Sequence, residues 1–108
     1  MKEFIFKNFV CRIGQNAKEN WHLLDEAKSN NIFFHLSSFP SGYVILEYEG
    51  DLTPFMLHTA AQTCKNGTKY CNVNNLKVDW CRCDNIKKGD KVGEVYFKSY
   101  RKVSSIKL

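Results

Sequence analysis

Apolar and polar positions change period several times along the chain, and each change marks an element. Glu3–Phe6 and Phe9–Ile13 alternate polar and apolar side chains, with Lys7 and Asn8 between them. That pattern predicts a β-hairpin, which Gly14 and Gln15 end. Asn16 then stands three residues before Glu19, the spacing of a capping box with Asn in the cap role. Ala17, Trp21, Leu24 and Ala27 recur at helical intervals after it, and Ser29-Asn30-Asn31 stops the helix. Ile32–Leu36 is a short apolar run of strand type. A turn follows in Ser38–Gly42, with Pro40 and Gly42 in it.

Tyr43–Tyr48 is the next strand, apolar first and then alternating with acids, and Gly50-Asp51 breaks it. Thr53-Pro54 predicts a helix start, with Thr53 as cap and a proline whose fixed φ suits the first helical position. Leu57, Ala60, Ala61 and Cys64 form its expected buried stripe, ended by Asn66-Gly67. The last third is expected to be strands. Val73–Cys83 places Leu76, Val78 and Trp80 on one alternating face. Lys87–Asp90 is a charged turn, and Val92–Phe97 and Val103–Leu108 are expected to pair as a closing hairpin. The expected fold is α+β, a single domain with a mostly antiparallel sheet and two helices packed on it.

Composition agrees with one domain. The 108 residues are 44 % hydrophobic, enough apolar surface for one core and little more. Charge adds more information, because it is segregated. Residues 1–64 carry five basic and seven acidic side chains, a net of −2, whereas residues 65–108 carry eleven and four, a net of +7. A one-sided positive field attracts polyanions, although the same residues would also serve as an ordinary solvated face.

The opening residues hold Glu3 and Lys7 where a secretory leader needs an apolar stretch, and no apolar run approaches a membrane span. A cytoplasmic protein with reduced thiols is therefore expected. On that reading the Asn66-Gly67-Thr68 sequon has no role. The five cysteines lack the paired C-x-x-C spacing of a zinc site: Cys81 and Cys83 form only a C-x-C, and Cys64 and Cys71 would have to complete the set. No metal or other cofactor is expected.

The candidate binding residues lie in the basic third: Lys77, Arg82, Lys87, Lys88, Lys91, Lys98, Arg101 and Lys102. Spaced cations on paired strands and their turns suit a phosphate backbone, and Lys87, Lys88, Arg101 and Lys102 are the preferred contacts. Trp80, Tyr96, Phe97 and Tyr100 interleave with them, as a base-stacking platform requires. Strand parity assigns Trp80 to the core with Val78 and leaves Tyr100 as the exposed ring. His35, alone in an apolar strand, is expected to be a core or rim residue, because general-base work needs a nucleophile beside it. His22 and His58 are expected on helix surfaces.

Four blocks in order resemble the NFACT-R domain family. They are Gly14-Gln15-Asn16-Ala17-Lys18-Glu19-Asn20, then Asn31-Ile32-Phe33-Phe34-His35-Leu36, then Pro40-Ser41-Gly42-Tyr43-Val44-Ile45-Leu46. The closing block runs through Asn74–Trp80, Ile86-Lys87-Lys88 and Val92-Gly93-Glu94-Val95. The resemblance extends from about Phe9 to the end and rests on the order and spacing of the blocks together. Asn16, Glu19, Asn20 and His35 are the family-motif positions, and helix capping is the favoured role for Asn16 and Glu19. Two positions depart from the pattern: Phe33 stands for the family's tryptophan and Tyr43 for its histidine.

The resemblance implies a module that binds RNA, and in at least one branch DNA; in the larger NFACT proteins it accompanies other modules that engage the large ribosomal subunit and transfer RNA during ribosome-associated quality control. A non-enzymatic RNA-binding module is therefore expected here, with transfer or ribosomal RNA as the candidate partners. Little sequence choice is expected. The alternative is an adaptor that docks on a protein partner, at a ribosome or elsewhere. A small hydrolase is disfavoured, because neither clustered carboxylates nor a His–nucleophile pair is evident.

Overall fold

The computed structural model describes residues 1–108 in full. Its elements run β1 (Lys2–Ile5), β2 (Phe9–Ile13), α1 (Ala17–Glu26), β3 (Ile32–Leu36), β4 (Val44–Tyr48), α2 (Pro54–Asn66), β5 (Lys77–Arg82), β6 (Ile86–Lys88), β7 (Val95–Phe97) and β8 (Ser104–Lys107). Six strands form one antiparallel sheet in the order β1-β2-β4-β3-β5-β8, and β6 and β7 form a separate two-stranded sheet. The fold is α+β, as the hydrophobic pattern predicts.

Both helices start where their caps require. The Asn16 side chain accepts the Glu19 amide at 2.9 Å, and a Glu19 carboxylate oxygen accepts the Gln15 amide at 3.0 Å. Thr53 accepts the Met56 amide at 3.2 Å, with Pro54 at the first helical position. The Asn16 and Thr53 bonds each satisfy a first-turn amide that the helix itself leaves free, and the Glu19 bond holds the residue just before the cap.

The two faces of the large sheet are covered differently. Alternation puts Cys11, Phe34, Val44, Leu46 and Val78 on one face, all fully buried, where α2 lays Met56, Ala60, Ala61 and Cys64 over them. Burial of each large side chain here contributes about 1.5–3 kcal/mol. The other face presents Phe33, Tyr43, Ile45 and Cys81, which Leu23 of α1 covers together with Ile86, Val95, Phe97 and Val103 around the small sheet. The molecule thus has three layers, with the helices on opposite sides.

The expected closing hairpin does not form. Residues Val92–Phe97 and Val103–Leu108 part company: β7 pairs with β6, and β8 pairs with β5 at the sheet edge. Hydrophobic burial explains the choice. Ile86, Val95 and Phe97 form one apolar face that packs on the α1 side, while Ile106 and Leu108 pack with the α2-side core. Lys87 and Lys88 consequently lie in a strand, and the turn falls after them. The strand expected over Val73–Cys83 is shorter, because turns occupy the stretch before Leu76 and Asn75 is left-handed (φ 62°). On α1 the buried face is Asn20 and Leu23, with Trp21, Leu24 and Ala27 half-buried and Ala17 exposed. Met56 is buried in α2, and Leu57 only partly.

Candidate nucleic-acid interface

The basic third of the chain folds into the α1-side layer and the adjoining sheet edge. In the small sheet, Lys87 pairs in register with Tyr96, and both side chains alternate with the inward-packed Ile86, Val95 and Phe97. They therefore face outward, and Tyr96 is 51 % exposed. The chain continues through exposed Lys98, Tyr100, Arg101 and Lys102, so exposed cations and aromatic rings follow one another along this stretch of chain. Tyr100 is 76 % exposed while its ring edge rests on Phe97, with centroids 5.6 Å apart. An exposed ring supported from below offers a flat face to a base without losing much side-chain entropy on contact.

The candidate cations are not equivalent. Lys77, Lys87, Lys98, Arg101 and Lys102 are exposed and have no carboxylate within salt-bridge distance. Arg82 is tied to Asp84 at 3.1 Å. Lys88 turns inward: it bonds Asp25 of α1 and lies 5.0 Å from the Trp21 ring centre. Strand parity separates Lys87 from Lys88, which the sequence shows only as neighbours. Lys91 is exposed in the turn after β6.

Specific hydrogen bonds hold this surface on the domain. The buried Asn85 side chain donates to the Ser99 carbonyl and accepts the Ser99 amide, both at 2.9 Å, which fixes the segment carrying Lys98 and Tyr100. The Trp21 indole donates to the Glu94 carbonyl at 3.1 Å, and the Tyr43 hydroxyl donates to the Gly93 carbonyl. Gly93 is left-handed (φ 91°), and a Cβ there would stand 2.7 Å from that of Ala17, so only glycine fits. The Asn20 side chain, 8 % exposed, accepts the Tyr43 amide at 3.1 Å. Two of the motif positions thus meet, Asn20 and the departing Tyr43, in a structural lock. Asn85 and Trp21 carry no sequence signal for these roles, because their partners are backbone atoms far along the chain.

His35 sits opposite Asp79 across β3 and β5, beside the contacting rings of Phe33 and Tyr43. Burial lowers its pKa below the ordinary histidine value, with the nearby Leu36 backbone and Asp79 acting in the opposite direction. Burial also pushes the thiols of Cys11, Cys64 and Cys81 up to about 11 and that of Cys83 to about 12. No three His, Cys, Asp or Glu side chains converge as metal ligands, and Cys64 lies on the opposite sheet face from Cys81. Trp80 is half-buried on the α2 side, stacked near Phe34 at 6.4 Å. His22 and His58 are exposed on their helices. No helix is long and apolar enough to cross a membrane.

Comparison with known proteins adds two findings. The family described as the NFACT protein RNA binding domain matches residues 4–99. The C-terminal region of the fibronectin/fibrinogen-binding protein from Streptococcus suis superposes with a TM-score of 0.82 at 21 % identity, over 93 % of this chain and 40 % of that one. The chain therefore spans two fifths of that structure, and the likeness is one of fold. No curated protein sequence matches the chain.

Proposed function

The chain belongs to the NFACT protein RNA-binding domain family, and on that premise we propose that it is a non-enzymatic module that holds single-stranded RNA on its small sheet and the segment after it. The supporting observation is the run of exposed cations and rings from Lys87 and Tyr96 through Lys98, Tyr100, Arg101 and Lys102. The cations contact phosphates and Tyr96 and Tyr100 stack on bases, which is binding by charge and shape. Transfer or ribosomal RNA in the cytoplasm is the proposed target, in keeping with a task in ribosome-associated quality control.

Fluorescence anisotropy with labelled single-stranded RNA, transfer RNA and duplex DNA at two salt concentrations tests the reading. Salt-sensitive binding that favours RNA is expected. Lys87→Glu with Arg101→Glu should weaken it more than about tenfold and flatten the log–log salt slope by about 1.4, at roughly 0.7 for each single-strand phosphate contact. Absence of binding to all three at low salt overturns the proposal.

A second reading, a protein adaptor, has one observation in its favour. The edge strand β1, at the opposite edge of the large sheet from β8, exposes Phe4 at 43 % and Ile5 at 74 %, and the start of α2 exposes Phe55 at 67 %. Ribosome co-sedimentation that is lost in Ile5→Lys but kept in the Lys87/Arg101 variant would favour it.

A further inference from the structure

The part of the α1-side sheet face that α1 and the small sheet leave uncovered carries a row of polar side chains. His35 of β3 lies opposite Asp79 of β5, and Asp79 opposite Ser105 of β8. The Ser105 hydroxyl donates to Asp79 Oδ1 at 2.7 Å. Asp79 makes no ion pair, although Lys77 and Lys107 face each other one register step along the same side. That step is two residues, about 7 Å. On the covered side of the row an aromatic series rises from the sheet: Phe33 packs on Phe97 at 6.2 Å, and Phe97 on exposed Tyr100 at 5.6 Å. A half-exposed carboxylate with one oxygen free of protein partners thus stands between two cations and a shelf of rings.

From this arrangement we propose that Asp79 forms a base-reading subsite for guanine in single-stranded RNA. The inference rests on the RNA-binding reading above and adds a base preference to it. An ionised carboxylate only accepts hydrogen bonds, through two oxygens with about four lone-pair sites. One lone pair of Oδ1 takes the Ser105 hydroxyl, and the outer side of both oxygens remains for a ligand. Guanine presents two adjacent donors on its Watson–Crick edge, N1–H and the exocyclic amine. Adenine and cytosine place an acceptor beside their single amino donor, and uracil has one N–H between two carbonyls. Each of those would set an oxygen or nitrogen lone pair against the carboxylate. Lys77 and Lys107 contact the phosphates that flank the bound base. Unstacked bases of single strands expose the required edge, which duplexes do not.

The test uses labelled eight-residue uridine RNA carrying one central G or one central A, with all-uridine RNA as the reference, bound to the full chain and to Asp79→Asn. That variant retains an oxygen to accept the Ser105 hydroxyl, so the sheet edge is preserved, but it replaces one acceptor by a donor. The full chain should bind the G-containing strand about tenfold more tightly than the A-containing one, within the range of one bidentate pair. Asp79→Asn should reduce that ratio below about twofold while all-uridine affinity holds within about twofold, the backbone contacts being untouched. Ser105→Ala should keep the preference. Equal affinity for G and A, or a preference that survives Asp79→Asn, overturns the guanine subsite while leaving RNA binding in place. Failure of all-uridine RNA to bind overturns both.

Discussion

The two faces of the large sheet solve the same problem with different physics. On the α2 side, long aliphatic and aromatic side chains interdigitate with a thirteen-residue helix, and cohesion comes from apolar area removed from water. On the α1 side the apolar cluster is small, and the layer above it is assembled from a ten-residue helix, two three-residue strands and a basic segment. That layer is held by bonds to particular backbone atoms: Tyr43 to Gly93, Trp21 to Glu94, Asn85 to Ser99. The difference teaches where cations can be placed. A layer that depends on area must turn apolar residues inward over its whole width. A layer pinned at a few points leaves its outer surface free for lysine, arginine and tyrosine.

The sharpest test of this contrast compares one residue from each side. Phe34→Ala removes a fully buried ring from the α2-side core and should cost about 3–5 kcal/mol in urea unfolding. Tyr43→Phe keeps the ring and removes only the hydroxyl that bonds Gly93, which should cost about 1–2 kcal/mol. Hydrogen exchange should then rise locally over β6 and β7, while α2 stays protected. A Tyr43→Phe protein with unchanged exchange in the small sheet would break the contrast.

A smaller effect comes from His35. Its pKa in the folded chain is held below the ordinary value of 6.5, chiefly by burial. The unfolded chain therefore takes up the proton first, so stability is full above about pH 6.5 and falls as the pH drops through that value toward the folded pKa. Asp79, the charged group opposite, works against the shift. Denaturant midpoints at pH 7 and pH 5.5 should differ more in the native chain than in His35→Gln. Equal differences would show that another group carries the pH dependence.

Thiol labelling refines the comparison with the least perturbation. Cys71 is exposed, whereas burial disfavours the thiolates of the other four cysteines, and the thiolate is the reactive species. One thiol should react quickly with a disulfide reagent in the folded protein. Cys81 and Cys83 lie under the pinned layer and should follow before Cys11 and Cys64, which lie under α2. The reverse order would mean that the α2 layer opens more readily.

Much of the molecule is legible in its residues because the signals are local. Asn16 with Glu19 and Thr53 with Pro54 mark their helix starts within one turn of chain, and alternation marks β2, β3 and β4. The α+β class, the charge segregation and the family resemblance follow from the same one-dimensional record. Strand partners do not, since every strand shares the period of two and any two of them match in pattern. Only packing in three dimensions decided that Ile106 belongs beside Val78 and Phe97 over Phe33, and hence that the last strand leaves its expected hairpin. The same assembly turned Lys88 toward Asp25 and Lys87 toward solvent, and brought Asp79, Ser105 and His35 into one row. Sequence determines what each stretch of chain tends to become, because those tendencies act over a few residues. Which distant side chains meet is decided by the competition of all apolar faces for burial, and that competition is settled only when the whole chain has folded.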